Sequence, residues 1–306
     1  MIGSDIYNKS FWGKGACNDI GWGIIYKPFS GCETESFLLD DYPNEAGHSY
    51  SLRKLSSTTT KVIRVRRSSD NTEQDFTATE ITDGTLTSFC GSGIGKDGFV
   101  VKWYDQSNSS DVKNATALEQ PKIVSNGGVL LENGKPCVEF DGSNDSLNIL
   151  IATLSLQYYL FAVNTWVSAP EEGDGYMYGL SAPFPAPFTG GNSLRWNGLE
   201  GKLHGSGSDL SFIQPSPFPQ SLFYARQVAA GLPGSGSQLK INTTQHPIIG
   251  GSNLGTTSIN KISLGEKGSG GQNGNIRLQE FILYFADQAS NQTAILDNIN
   301  NHYSIY

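Results

Sequence analysis

The stretch from Phe99 to Leu147 constrains the fold more than any other part of the chain. Phe99, Val101 and Trp103 alternate with Val100, Lys102 and Tyr104, the two-residue period of a half-buried strand. Asp105-Gln106-Ser107-Asn108 ends that run with residues whose side chains bond their own backbone in turns. Val129–Glu132 reads as a second short strand, and Asn133-Gly134 follows it. That dipeptide signals a two-residue hairpin, because both central positions of such a turn need a positive φ. Cys137–Phe140 alternates again, and Asp141–Asp145 turns the chain once more. Short strands joined by tight turns, with no helical period between them, predict an antiparallel all-β fold.

The rest of the chain extends this reading. Its 36 glycines and 13 prolines are spread along 306 residues, which suits many turns. β-Sandwiches of about 200–250 residues commonly form one domain, so residues 39–306 read as a single sandwich. Lys61–Arg67 is a strand, Ala46–Leu55 is helical or extended, and Thr85–Phe89 is a short helix. Leu156–Val163 is apolar at every position but Gln157, which predicts a central strand, and Ile276–Phe285 is a long closing strand. Ser290 is placed to cap a last helix in which Ile295, Leu296, Ile299 and Tyr303 share a face. Residues 1–38 differ: Phe11, Trp12, Trp22, Tyr26 and Phe29 sit in glycine-rich text without amphipathic spacing. They form either an N-terminal arm docked into a partner, since aromatic anchors carry much interface energy, or an ordinary first strand.

Charge and cysteine usage exclude several classes. The net charge is −8, and the one basic cluster is Lys61, Arg64, Arg66 and Arg67. Phosphate binding needs clustered cations; here they lie along one strand, as a solvated face or in ion pairs, and no nucleic-acid partner is expected. Cys17, Cys32, Cys90 and Cys137 include no CxxC pair, so neither zinc nor a disulfide scaffold is expected. Cys17 and Cys32 could pair in oxidising surroundings. Met1–Ser10 lacks the pattern of a signal peptide, and no apolar run approaches the roughly 18 residues of a membrane helix. The expectation is a protein made in a reducing cytoplasm, without membrane insertion.

SYSLRKL, IRVRRSSDNTEQDF, SFCGSG, WYDQSN, QPKIV and GKPCVEFDGSNDSL occur in this order. Together they resemble the concanavalin A-like lectin/glucanase (LamG-like) fold, in particular the catalytic module of fungal α-L-arabinofuranosidase B. The resemblance runs from about Asp40 to the C-terminus and is strongest over Asp40–Leu147. It returns in LGEKGSGGQNGNIRLQEFILYFADQASNQTAILDNINNHY, which is similar to the closing strand and helix of such modules. It implies an antiparallel jelly-roll sandwich with a short C-terminal helix. Versions of the module are common in bacterial and phage proteins, and the chain looks most like a virion protein of a phage of Bacteroidetes-type hosts. Residues 1–38 would then join it to other virion proteins, and the virion would be its location. A homo-oligomer is left open.

Retaining glycosidases place two carboxylates about 5 Å apart, as nucleophile and acid–base. The resemblance puts one of them in a Glu-x-x-Leu setting, matched here by Glu200-Gly201-Lys202-Leu203. It puts the acid in a Gly-rich loop before the closing strand, matched by Gly268-Ser269-Gly270-Gly271, which carries no carboxylate; Glu266 lies nearby. Without a proton donor the leaving group loses its main assistance. Glu200 is thus the one catalytic candidate, read rather as a surface residue or sugar acceptor. Glycan binding asks only for rings that cover apolar sugar faces and a few fixed polar groups. Trp166, Tyr176, Tyr178, Phe184, Phe188 and Trp196 supply rings in loop-like text, with Arg195, Asn197, Glu200 and His204 as polar partners. Asp141, Asn144 and Asp145 have the oxygen donors calcium prefers, but such residues also make a metal-free turn, which is the reading adopted, with no cofactor. The expectation is a noncatalytic glycan-binding component of a phage tail, fibre or head, for host or mucosal attachment. The alternatives are an arabinofuranosidase-type glycoside hydrolase and a ligand-free decoration protein.

Overall fold

The strand Tyr158–Trp166 is buried at every position. Phe218–Gln227 flanks it on one side and Asn275–Tyr284 on the other, both antiparallel. Its side chains alternate between two apolar clusters. Tyr158, Leu160, Ala162 and Trp166 enter the main core, and Tyr159, Phe161 and Val163 enter a second cluster on the opposite face. A strand apolar on both faces must be covered on both, which places it centrally as its sequence predicts. The computed structural model describes residues 36–44, 47–154, 158–168, 175–181, 192–196, 200–205, 208–213, 218–227, 238–246, 259–267 and 272–306. The chain divides into two units, Met1–Ser36 and Phe37–Tyr306; the second is the one described here. Cys17, Cys32 and all but the last three residues of the expected arm lie outside the described residues.

Two sets of antiparallel strands share the main core. The first runs Thr244–His246, Gln238–Ile241, Phe218–Gln227, Tyr158–Trp166, Asn275–Tyr284 in spatial order. The far edge of Asn275–Tyr284 is divided between His48–Ser51 and Val138–Asp141. The second set begins with Glu73–Phe76, Ile63–Arg67, Gly98–Trp103, Val112–Lys113, Leu147–Leu154 and Ile259–Leu264. It continues through Gly175–Ser181, Asn192–Trp196, Glu200–Gly205 and Ser208–Ile213. Lys122–Ser125 joins the sets, pairing with both Val138–Asp141 and Gly98–Trp103. Between them Tyr178 meets Phe281 edge-on with ring centroids 5.4 Å apart. The predicted all-β antiparallel class holds.

The local chemistry explains several elements. Asn133 and Gly134 take φ of 48° and 72°, and the hairpin pairs Leu131 with Pro136 and Glu132 with Lys135. Thr85–Cys90 is a short helix, and the Ala46–Leu55 segment resolves to the strand His48–Ser51. The basic cluster is bonded within the fold. Arg64 meets Asp75 at 2.7 Å, Arg67 meets Asp70 at 2.7 Å, and Arg66 donates to Gln120, Asn71 and the Ala117 carbonyl. Burial pushes the free Cys90 and Cys137 thiols up to about 11 and about 12. No helix among the described residues is long and apolar enough to cross a membrane.

The closing helix Gln292–Tyr303 seals the second cluster with Ile295, Leu296, Ile299 and Tyr303, the face its spacing predicts. Leu38, Leu39 and Leu55 complete the cover. Ser290 does not cap it. The N-cap position is Asn291, whose αR backbone gives no side-chain cap bond; its amide donates to Gln288 instead. Beneath the helix, Glu280 is fully buried. Arg53 grips it with both Nε and Nη2, at 2.8 and 3.0 Å, and donates from Nη1 to Asn298 of the helix at 2.9 Å. The Ser51 hydroxyl donates to the same carboxylate at 2.7 Å. A buried carboxylate needs this density of donors, because charge without partners in a low dielectric is costly.

Candidate functional site

The outer face of the second strand set carries a polar row, at least partly exposed from Asp75 to Asn148 and buried at Ser263. Direct register partners run Asp75, Arg64, Lys102, Lys113, Asn148 and Ser263, across six strands. Facing residues of antiparallel neighbours share a side of the sheet, so these positions form one line. One step along the strands the register instead links Leu147, Leu264 and Tyr178, all in the main core. The period of two turns that apolar row inward and the polar row outward.

Most charges on the row are paired. Arg64 meets Asp75, Lys102 meets Asp111 at 3.3 Å, and Lys261, two residues from Ser263, meets Glu266 at 3.4 Å. Lys113 is exposed and has no ion-pair partner among the described residues. Beside the middle of the row opens a cleft of about 590 Å³, whose walls include Lys113, Asn114, Glu119, Asn148, Lys261 and Glu266. Asn148 Nδ2 donates to Ser146 Oγ at 3.0 Å, but its Oδ1 is buried and unpartnered. Ser263, its register partner, is wholly buried, and its Oγ is also unpartnered. Leu150 stands at the cleft 74% exposed. The arrangement offers acceptors, one free ammonium and an apolar ledge in a space that fits one or two sugar units.

The ring residues expected to hold glycan are placed otherwise. Trp166, Tyr176 and Tyr178 are 2%, 3% and 0% exposed. They lie in strands rather than loops, so their rings are spent on the interior and present no face to a sugar. Trp166 packs on the glycine pair Gly175 and Gly274, and a Cβ at either would sit about 3.2–3.3 Å from its ring. Arg195 and Trp196 lie in the strand Asn192–Trp196, opposite Lys202 and Gly201. Glu200 opens the next strand, opposite Ile213, and His204 lies in the same strand, opposite Ser193. Asn197, Phe184, Phe188 and Gly268-Ser269-Gly270-Gly271 lie outside the described residues.

At the calcium candidate, carboxylate oxygens are occupied by backbone. Asp141 Oδ1 accepts from the Ser143 and Asn144 N–H groups at 2.8 and 3.2 Å, and Asp145 Oδ2 accepts from Asp141 N–H at 3.0 Å. Burial, reinforced by the Asp141 charge, pushes the Asp145 carboxyl up to about 7. Among the described residues no three His, Cys, Asp or Glu side chains group closely enough to hold a metal ion.

Asn148, Ser263 and Lys113 escape sequence reasoning because nothing local marks them. Only register brings residues 113, 148 and 263 side by side.

No protein-family model and no curated protein matches the chain. Solved structures do. A GH54 α-L-arabinofuranosidase soaked with a cyclic sulfate inhibitor matches at 13% identity and a TM-score of 0.60, covering 86% of this chain and 64% of that one. An arabinofuranosidase complexed with arabinofuranosyl-α-1,2-xylobiose matches at 13% identity and a TM-score of 0.55, covering 82% and 61%. A Trypanosoma rangeli sialidase matches at 12% identity and a TM-score of 0.47, covering 79% and 33%. The chain thus spans less than two thirds of the length of each. Identities this low establish likeness of fold, here to the arabinofuranosidases.

Proposed function

We propose that this chain is a non-hydrolytic, glycan-binding β-sandwich of concanavalin A-like, jelly-roll kind, carried on a phage particle and attaching it to host or mucosal carbohydrate. The carrying observation is a polar face with an open cleft on a fold similar to arabinofuranosidases, one of which was solved with an arabinofuranosyl-xylobiose in place. The non-hydrolytic part is supported by sequence: the loop that matches the family's acid is Gly268-Ser269-Gly270-Gly271. Glu266, the nearest carboxylate, faces the Lys261 ammonium. The phage context is supported by the motif resemblance, and residues 1–36 are the part assigned to particle attachment.

A glycan array with the full chain should give discrete hits, and an array without hits favours an inert decoration protein. Incubation with 4-nitrophenyl α-L-arabinofuranoside should release no nitrophenol. Release that disappears in Glu200→Gln would overturn the binding reading in favour of a hydrolase. Removing residues 1–36 should leave a folded, glycan-binding protein that no longer joins particles.

A further inference from the structure

We infer that Asn133 is a site of spontaneous deamidation whose product releases the C-terminal end of the closing helix, so that the hairpin at residues 131–136 works as a one-way latch. The inference is independent of the carbohydrate reading. Asparagine followed by glycine is prone to this reaction, because no Cβ shields the glycine nitrogen. On losing its proton the Gly134 nitrogen attacks Asn133 Cγ. The new N–Cγ bond closes a cyclic imide as the Cγ–Nδ2 bond breaks, and ammonia leaves with the proton. Water opens the imide at either carbonyl, leaving aspartate or isoaspartate at position 133.

Three Asn-Gly pairs lie among the described residues, and the fold ties up two of them. Gly127 N–H donates to the Lys96 carbonyl at 2.7 Å, and Gly274 N–H to the Gly265 carbonyl at 2.9 Å. Their asparagines are engaged as well: Asn126 Oδ1 accepts from Gly95 N–H at 2.9 Å, and Asn273, 9% exposed, donates to the Asp145 carbonyl at 3.0 Å. Gly134 is exposed, and its N–H donates to no group among the described residues. Only the Asn133 amide is held there. Its Nδ2 donates to the Tyr303 carbonyl at 2.9 Å and the Ser304 carbonyl at 3.3 Å. Attack at Cγ requires the amide to turn away from those carbonyls, so the reaction waits until the helix end lets go.

The same contacts make the step irreversible. Carbonyls at a helix C-terminus lack partners within the helix and carry partial negative charge. Deamidation replaces the Nδ2 donor that met them with an acceptor-only carboxylate, so attraction becomes repulsion. His302, the basic residue of the last turn, brings no countercharge, since burial and the Arg53 charge lower its pKa to about 4. Lys135 of the hairpin softens the clash without restoring the lost hydrogen bonds. Isoaspartate adds a backbone carbon inside the tight turn that pairs Glu132 with Lys135. With either product, fraying once caught is kept.

The test incubates the full chain in warm, mildly alkaline buffer. Peptide mass mapping follows the gain of about one dalton that marks an amide turned to an acid. Hydrogen exchange follows the Ile305 and Tyr306 amides, both held by Asn300 Oδ1. Asn133 should react several-fold faster than Asn126 or Asn273. Asn300→Ala, which loosens the chain just past Ser304, should quicken the reaction at Asn133 and leave Asn126 unchanged. The modified protein should exchange several-fold faster at residues 305 and 306. Asn133→Asp should reproduce this and exceed Asn133→Gly, which removes the donor without adding charge and tolerates the positive φ of 48°. Asn126 or Asn273 reacting first, or no reaction at any of the three, overturns the site. A rate at Asn133 indifferent to Asn300→Ala overturns the gating by the helix end. Unchanged exchange after modification, or Asn133→Asp exchanging no faster than Asn133→Gly, overturns the latch.

Discussion

On the outer side of Tyr158–Trp166, Tyr159, Phe161 and Val163 lie under the helix Gln292–Tyr303, and the fully buried carboxylate there, Glu280, is closed by Arg53. On the outer side of Ile259–Leu264, Lys261 lines an open cleft together with Asn148 and Glu266. Both faces are built by the same alternation in strands of one antiparallel network. What differs is the residue type at the outward positions. An apolar outward row demands a lid and yields stability once it has one. A polar outward row needs none and keeps its hydrogen-bonding capacity for a ligand. The sealed face is therefore the stability reservoir, and the open face is where substitutions should be cheap for folding and expensive for binding.

That division can be broken by measurement. Arg53→Met should cost the most, about 3–5 kcal/mol of unfolding free energy, because it leaves a buried carboxylate uncompensated. Combining it with Glu280→Leu should recover a large part of that loss; a double variant as unstable as the single one would show the ion pair is not the cause. Ile299→Ala, beneath the same lid, should cost about 2–4 kcal/mol in urea denaturation through the cavity it leaves.

Asp145 gives an intermediate, pH-dependent effect. Its folded carboxyl is raised to about 7 from 3.8, so the folded state holds its proton more tightly than the unfolded state. Its contribution to stability therefore falls as pH rises from about 4 to about 7 and is level above that. Asp145→Asn should stabilise the protein by about 1–3 kcal/mol near pH 8, with the gain vanishing near pH 4. A gain equal at both pH values would assign the effect to packing.

Smallest of all, Leu150→Ser and Lys113→Gln on the open face should shift stability by no more than about 0.5 kcal/mol. If Leu150→Ser cost as much as Ile299→Ala, the contrast between the faces would fail.

Features written in neighbouring residues were legible. Asn133-Gly134 named its own hairpin, and the spacing of Ile295, Leu296, Ile299 and Tyr303 showed which side of the helix is buried. The unbroken apolarity of the Tyr158 strand announced its position. Features made by distant residues were not. Glu280 reads as an interruption in a closing strand until Arg53, 227 residues away, is beside it. The polar row is assembled from strands between residues 64 and 148 and residue 263, with bulges that shift the count along the way. The ring residues misled for a related reason: Gly and Pro around Trp166, Tyr176 and Tyr178 suggest loops, but Gly175 packs against the Trp166 ring and Gly274 against the Tyr176 carbonyl, where a Cβ would sit 2.5 Å from the oxygen.

The strand Asn275–Tyr284 zips onto residues 159–166 along one edge and onto residues 48–51 and 138–141 along the other. During synthesis those three segments emerge long before the piece that unites them. A ribosome-bound chain halted before residue 275 has three apolar or half-apolar edges and nothing to close them. Such long-range pairing is slow, so the waiting interval is when this protein is most exposed to aggregation and to chaperones. Nascent chains stalled at about residue 270 should be protease-sensitive throughout, and extending the stall point past the exit tunnel should convert them to resistance in a single step.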